Sequence, residues 1–179
     1  ARDTEALIKR WHKKGRQHYA ITPRFAPTST EAQLRLAGEL ASQYQDTYIQ
    51  THVAENTDEV KWVKELFPDS RSYLDVYEKR GLMRKRALYA HCIWLDDNDR
   101  ARMAATGSVA TVCPTSNLFL GSGLFDFINA DKLRMPVSLA TDVGGGTSFS
   151  MLQTMNELYK VGRMSGVHLA AQRMFYMAT

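Results

Sequence analysis

Thr47-Tyr-Ile-Gln-Thr-His52-Val-Ala-Glu55-Asn56 is the stretch whose reading decides the fold. Tyr48, Ile49 and Val53, with Thr47 and Thr51, make a β-branched and aromatic run of strand length. Asn56 with Glu59 three residues on has the form of a helix N-cap and its capping-box partner. A strand that runs straight into a helix start leaves His52 and Glu55 at the strand's carboxyl end. In an α/β barrel that end collects catalytic side chains, because the strand fixes the backbone while the following loop frees the side chain.

The same pattern recurs on both sides. Upstream, residues 4–14 carry Leu7, Ile8 and Trp11 at helical spacing with Gly15 as a stop. Tyr19 to Phe25 reads as a strand ending in Arg24, and Thr30 with Gln33 opens an amphipathic helix whose Leu34, Ala37, Leu40, Ala41 and Tyr44 share a face. Downstream of the central strand, Val60, Val63, Leu66 and Phe67 mark a helix stopped by Pro68, and a further helical stretch covers about Ser72 to Lys79. Ala87 to His91 reads as a strand, and Asp96 as the N-cap of a helix through Met103 that Gly107 stops. Ser108 to Cys113 and Pro136 to Ala140 are the last two strands, the second running into Thr141-Asp142.

Strands alternating with helical patterns predict parallel βαβ repetition. Polar or ionisable residues stand at most strand ends: Arg24, His52 with Glu55, His91 and Asp142. A doubly wound sheet would concentrate them at one switch point, so the distribution favours a (β/α)8 TIM barrel. Such a barrel takes about 250 residues, and five strands are legible in 179. The expectation is a single partial barrel domain over 1–179, comprising about strands 4 to 8, that lacks the strands preceding Ile21 and stops within a helical pattern at Thr179.

Composition narrows the function classes. With 44% hydrophobic and 23% charged residues the chain suits one globular core. The sequence offers no apolar run of the ~20 residues a membrane span needs, and its first residues have no secretory h-region, so neither a membrane partner nor export is expected and the cytoplasm is the expected location. Cys92 and Cys113 form no CxxC pair and read as buried reduced thiols. The net charge of +4 is spread along the helices; the basic run Lys79 to Arg86 reads as a solvated loop, and nucleic acid is not an expected partner. His12 and His18 have no acidic neighbour in sequence and read as surface or packing residues. Gly144-Gly145-Gly146-Thr147-Ser148 lacks a P-loop lysine and GxGxxG spacing; it reads as a tight turn into a helix starting near Ser148.

His, His, Glu and Asp at strand ends are what a zinc hydrolase uses. Imidazole and carboxylate suit Zn²⁺, whose bound water is acidified to a pKa near 7, and a neighbouring carboxylate shuttles its proton. Singly each residue reads as a structural side chain or a turn former; their alignment on successive strands carries the signal. The cytidine-deaminase type of zinc site is excluded, since no HxE is followed by PCxxC.

PRF at 23–25, THVAEN at 51–56, AHC at 90–92, CPTSNLFLGSG at 113–123 and ATDVGGGTSFSML at 140–152 resemble the guanine deaminases of the amidohydrolase superfamily over essentially the whole chain. The resemblance implies a (β/α)8 barrel with one zinc per subunit, acting on guanine and water to give xanthine and ammonia in purine catabolism, and a homodimer for the parent enzyme. By position, it implies that His52 is a zinc ligand and Glu55 the proton shuttle. His91 would hold the attacking hydroxide or lie close to the metal, and Asp142 would bind the metal and take the water's proton. Arg24 would bind the purine carbonyl and Phe25 stack on the ring. Substrate contacts are also implied for His52, Glu55 and Asp142. The first-strand HxH pair that supplies two further zinc ligands does not occur in these 179 residues, so the resemblance is to an internal segment, expected to be inactive alone. Two other readings stand beside it: a sibling amidohydrolase acting on another aminated or halogenated ring, and an inert α/β fragment that needs a partner.

Overall fold

The computed structural model describes residues 2–179. Helix α1 (Arg2–Trp11) precedes β1 (Ala20–Ile21), and α2 (Glu31–Gln43) leads into β2 (Tyr48–Val53). Helices α3 (Thr57–Leu66) and α4 (Tyr73–Glu78) connect to β3 (Ala87–His91), and α5 (Asp97–Thr106) to β4 (Val109–Val112). Helices α6 (Pro114–Phe119) and α7 (Phe127–Lys132) connect to β5 (Val137–Leu139), and α8 (Met151–Met164) and α9 (Ala171–Ala178) follow. The strands form one sheet in the order β1-β2-β3-β4-β5, every pair parallel. Each strand lies beside its sequence neighbour with helix between, which is barrel progression rather than the reversing order of a doubly wound sheet. The sheet is an open, partial TIM barrel with β1 and β5 as its edges.

Alternation along the strands separates two faces. In β2, Ile49, Thr51 and Val53 are buried while Tyr48, Gln50 and His52 are half-buried. The covered side joins a core in which Ile49, Val53, Ala87, Tyr89, Ala110 and Val112 cluster with Leu34, Ala41, Leu74 and Met103 from the helices. Burying one such aliphatic side chain stabilises the fold by about 1.5–3 kcal/mol. The helix starts are fixed by side-chain caps: Thr30 accepts from the Gln33 amide, Asp96 from the Asp99 amide, and Asn56 and Glu59 form the reciprocal capping box. Each is worth about 1 kcal/mol.

Several elements depart from expectation. β1 pairs over two residues only; Pro23 cannot donate to a ladder, and beyond it the Arg24 carbonyl keeps the strands together by accepting from the His52 amide at 3.3 Å and the Thr51 hydroxyl at 3.2 Å, with the His52 ring beside it. Helix α1 ends at Trp11 because Lys13 already turns left-handed, φ 62°. Helices α6 and α7 carry no amphipathic period long enough to read; Pro114 opens the first and Asp126 caps the second through the Asn129 amide. The glycine run ends earlier than the helix begins: α8 starts at Met151, capped by Ser150. The basic run is not simply solvated. Arg80 pairs with Glu31, Arg86 reaches the Asp46 carbonyl at 2.6 Å, and Arg84 donates to the carbonyls of Ala41, Gln45 and Thr47. His12 does have an acidic neighbour, Asp46 at 3.2 Å, and its Nδ1 accepts from the Tyr19 amide, so it ties α1 to the chain before β1 and β2. Both cysteines are free and buried, as expected. No helix among the described residues is long and apolar enough to cross a membrane.

Candidate active site

His52 is the last half-buried residue on the uncovered face of β2. Its Nδ1 lies 2.7 Å from the Arg24 carbonyl. A carbonyl only accepts, so Nδ1 carries the hydrogen and Nε2 keeps its lone pair for a ligand. The backbone beneath is pinned by Tyr77 of α4, whose hydroxyl donates to the His52 carbonyl at 2.7 Å and accepts from the Ala26 amide at 2.9 Å. Burial pushes the Tyr77 phenol up to about 12, so it remains a donor throughout the neutral range.

His91 ends β3 in the left-handed region (φ 72°), followed by Cys92 at φ 53°. Two such residues in succession cost about 1–3 kcal/mol each. Neighbouring strands hold them: the Cys92 amide donates to the Val53 carbonyl at 3.1 Å, and the Ile93 and Trp94 amides donate to that of Ala54. This turn swings the imidazole to the strand ends, where its side chain is only 1% exposed. Nδ1 lies 2.9 Å from the amide oxygen of Asn117 in α6. As at His52, the acceptor takes the hydrogen of Nδ1 and leaves Nε2 free. The two rings stack with centroids 5.4 Å apart.

Asp142 is also left-handed, φ 48°. The Gly146 amide closes a turn onto the Asp142 carbonyl, and Thr115 of α6 donates to the Thr141 carbonyl at 3.1 Å. A Cβ at Gly146 would lie 1.9 Å from that same carbonyl oxygen and 2.8 Å from the Thr115 hydroxyl, so the turn admits no side chain there. The glycine run therefore lets backbone wrap the Asp142 carboxylate without covering it. Glu55 follows Ala54, itself at φ 50°; its Oε2 is 3.6 Å from His91 Nε2, and Asp142 Oδ2 is 4.0 Å from the same nitrogen.

One ligand atom from each of His52, His91 and Asp142 falls within 4.8 Å of the others. Two imidazole nitrogens with free lone pairs and a carboxylate form a donor set fit for zinc. Beside it, a concavity of about 360 Å³ on the uncovered sheet face is lined by Gln50, Leu88, Ala90 and Thr111 together with His52 and Asp142. The Phe25 ring centroid lies 6.4 Å from that of His52, with the Arg24 guanidinium 5.2 Å from the centroid of the Phe25 ring. The structure thus gathers His52, Glu55, His91 and Asp142, and leaves the exposed Arg24 side chain outside that cluster. Asn117 and Thr115 emerge as supports that no single-residue reading assigned. The signal available was the polar run Thr115-Ser116-Asn117 directly after Pro114, all three of them buried.

Side chains able to bind a metal gather at the carboxyl ends of parallel strands, the end where barrel enzymes place their functional groups, with His91 and Asp142 presented from left-handed backbone and His52 from the regular strand β2. The chain belongs to the amidohydrolase family, which it matches over residues 2–179. It is similar to the guanine deaminase of Escherichia coli strain K12, with 50% identity over 98% of this chain and 40% of that protein; the structure of E. coli guanine deaminase superposes with a TM-score of 0.95, over 98% of this chain and 41% of that one. Guanine deaminase from C. acetobutylicum, solved with guanine bound in its active site, is 30% identical with a TM-score of 0.90 over 99% of this chain and 44% of that one. An adenosine deaminase from Xanthomonas campestris, solved with bound zinc, shares the fold at a TM-score of 0.86 and 20% identity, over 99% of this chain and 41% of that one. The chain thus spans about two fifths of the length of the E. coli relative.

Proposed function

We propose that this chain contributes about strands 4 to 8 of a zinc-dependent enzyme that hydrolyses guanine to xanthine and ammonia. The observation that carries this reading is the convergence of His52, His91 and Asp142 donor atoms within 4.8 Å, with the Glu55 carboxylate alongside. Half of its residues match those of a guanine deaminase over this span.

His52 and Asp142 would hold the zinc, with His91 at its side and further ligands supplied from outside this chain. Bound there, zinc would lower the pKa of water towards 7 and stabilise charge that develops on the attacked ring. Asp142 takes the proton of the attacking water. Glu55 carries a proton to the purine ring nitrogen and then to the departing amine, which leaves as ammonia; one water is consumed for each guanine. Arg24 hydrogen-bonds the guanine carbonyl and Phe25 stacks on the ring. A purine with an amino group in place of that carbonyl would leave the guanidinium unpaired, and sites built around such a pair discriminate strongly.

The full-length enzyme, loaded with zinc and given guanine, is expected to release xanthine and ammonia in equal amounts. Assay against other aminated and halogenated heterocycles separates this reading from a sibling amidohydrolase; turnover of one of those with none of guanine would overturn it. Arg24→Ala is expected to raise KM for guanine and narrow its advantage over other purines. Zinc content should be retained, because the orienting contact to His52 comes from the Arg24 backbone carbonyl and not from its side chain.

A further inference from the structure

The Glu55 carboxylate has a neighbour that belongs neither to the ligand set nor to the substrate pocket. Ser122 lies in the turn after α6, 6% exposed, and its hydroxyl is 3.1 Å from Glu55 Oε1. An ionised carboxylate only accepts, so the serine donates. Buried serines near a helix usually turn back on local carbonyls, as Ser116 does onto that of Cys113. Ser122 instead bridges two loops 67 positions apart in sequence.

The turn that presents it is fixed from three directions. The Ser122 amide donates to the Asn117 carbonyl at 2.9 Å. The Ser122 carbonyl accepts from the Trp94 indole at 3.0 Å. Gly123, at φ 131°, leaves room for the same indole, since a Cβ there would lie 3.2 Å from the ring. Trp94 is in turn anchored through its amide to the carbonyl of Ala54, the residue before Glu55, at 3.0 Å. Hydrogen bonds therefore run from the β2 loop through the β3 loop to the β4 loop and back to the Glu55 side chain.

We infer that Ser122 is a positioning residue for Glu55. By engaging Oε1 it sets the rotation of the carboxylate and leaves Oε2, the oxygen 3.6 Å from His91 Nε2, as the one that faces the reacting atoms. This rests on the reading of Glu55 as the proton carrier, and the two are separable by experiment. In the zinc-loaded full-length enzyme, Ser122→Ala is expected to lower kcat for guanine about tenfold, within the 10–100-fold typical of groups that orient a site from behind, with KM and zinc content unchanged. Ser122→Thr, which keeps the hydroxyl, should recover most of that loss. In a Glu55→Gln background Ser122→Ala should cost nothing further, because both act through one group. A crystal structure of Ser122→Ala should show the Glu55 carboxylate rotated away. A kcat within twofold of wild type, or the same loss in the Glu55→Gln background, would overturn the positioning role. Wild-type turnover in Glu55→Gln alone would overturn the proton-carrier reading and the role with it. If Ser122→Ala does not fold, Ser122→Cys, a near-isostere with a weak donor, takes its place under the same expectations.

Discussion

The two ends of the sheet use polar side chains in opposite ways. At the amino ends Arg84 is spent on three carbonyls, those of Ala41, Gln45 and Thr47, and the Ser108 hydroxyl on the Arg84 carbonyl. Arg86 is occupied in the same manner by Asp46. At the carboxyl ends the reverse holds: one nitrogen of each imidazole is occupied by Arg24 or Asn117, and one ligand atom from each of His52, His91 and Asp142 lies within 4.8 Å of the others. Backbone strain leans the same way, with Ala54, His91, Cys92 and Asp142 left-handed at the carboxyl ends against Arg86 and Arg134 on the approaches to the amino ends of β3 and β5. One end closes the helices onto the sheet; the other accepts left-handed backbone at His91 and Asp142 and uses hydrogen bonds to the imidazoles to leave ligand atoms turned towards one another.

The sharpest way to break this contrast is to remove a group from the free set. His52→Ala in the full-length enzyme is expected to lose most of its zinc and to reduce turnover below detection. Metal analysis showing undiminished zinc in the purified variant would remove His52 from the ligand set. Glu55→Gln ranks next. The carboxamide is nearly isosteric but cannot pass a proton, so turnover should fall about 10²–10⁴-fold, the usual contribution of a general acid–base group, while zinc and guanine binding persist. At the other end, Arg84→Ala should act on stability and not on chemistry. Stranding partly buried carbonyls costs about 1–3 kcal/mol, so the denaturant midpoint should fall while turnover per folded molecule stays constant. A variant at Arg84 that kept full stability but lost turnover would erase the distinction between the two ends.

That distinction was only half legible in the sequence. Caps and periods are local, and so the stretch from Thr47 to Glu59, the Thr30–Gln33 start and the Asp96–Gly107 helix read correctly. The strand-end positions of His52, His91 and Asp142 followed from strand lengths alone. Arg84 reads as solvated because its acceptors are backbone carbonyls contributed by the end of α2 and the chain beyond it, and no side-chain pattern announces a carbonyl. Asn117 and Ser122 became visible only once parallel order placed the β4 loop beside those of β2 and β3. Short helices such as α6 hide from periodicity analysis, since six residues fill less than two turns.

The smallest effect expected concerns two groups at the carboxyl ends that do not belong to the free set. Cys92 and Cys113 follow β3 and β4 directly, and thiolates are good zinc ligands. Yet the Cys92 thiol donates to the Tyr89 carbonyl at 3.3 Å and that of Cys113 to Thr111 at 3.5 Å, so both are turned back on their own strands. Burial pushes the Cys113 thiol up to about 12, with the nearby Asp142 charge adding to it, and pushes Cys92 well above its ordinary value. Only the thiolate reacts or ligates at useful rates, and at pH 8 almost none is present at either position. The zinc-loaded full-length enzyme should therefore leave both cysteines unmodified by iodoacetamide at pH 8 until it is unfolded, and Cys92→Ser should keep its zinc. Alkylation of the native protein at Cys113, or zinc loss in Cys92→Ser, would show that the free set extends past the imidazoles and carboxylates and that proximity to the strand ends alone recruits a side chain.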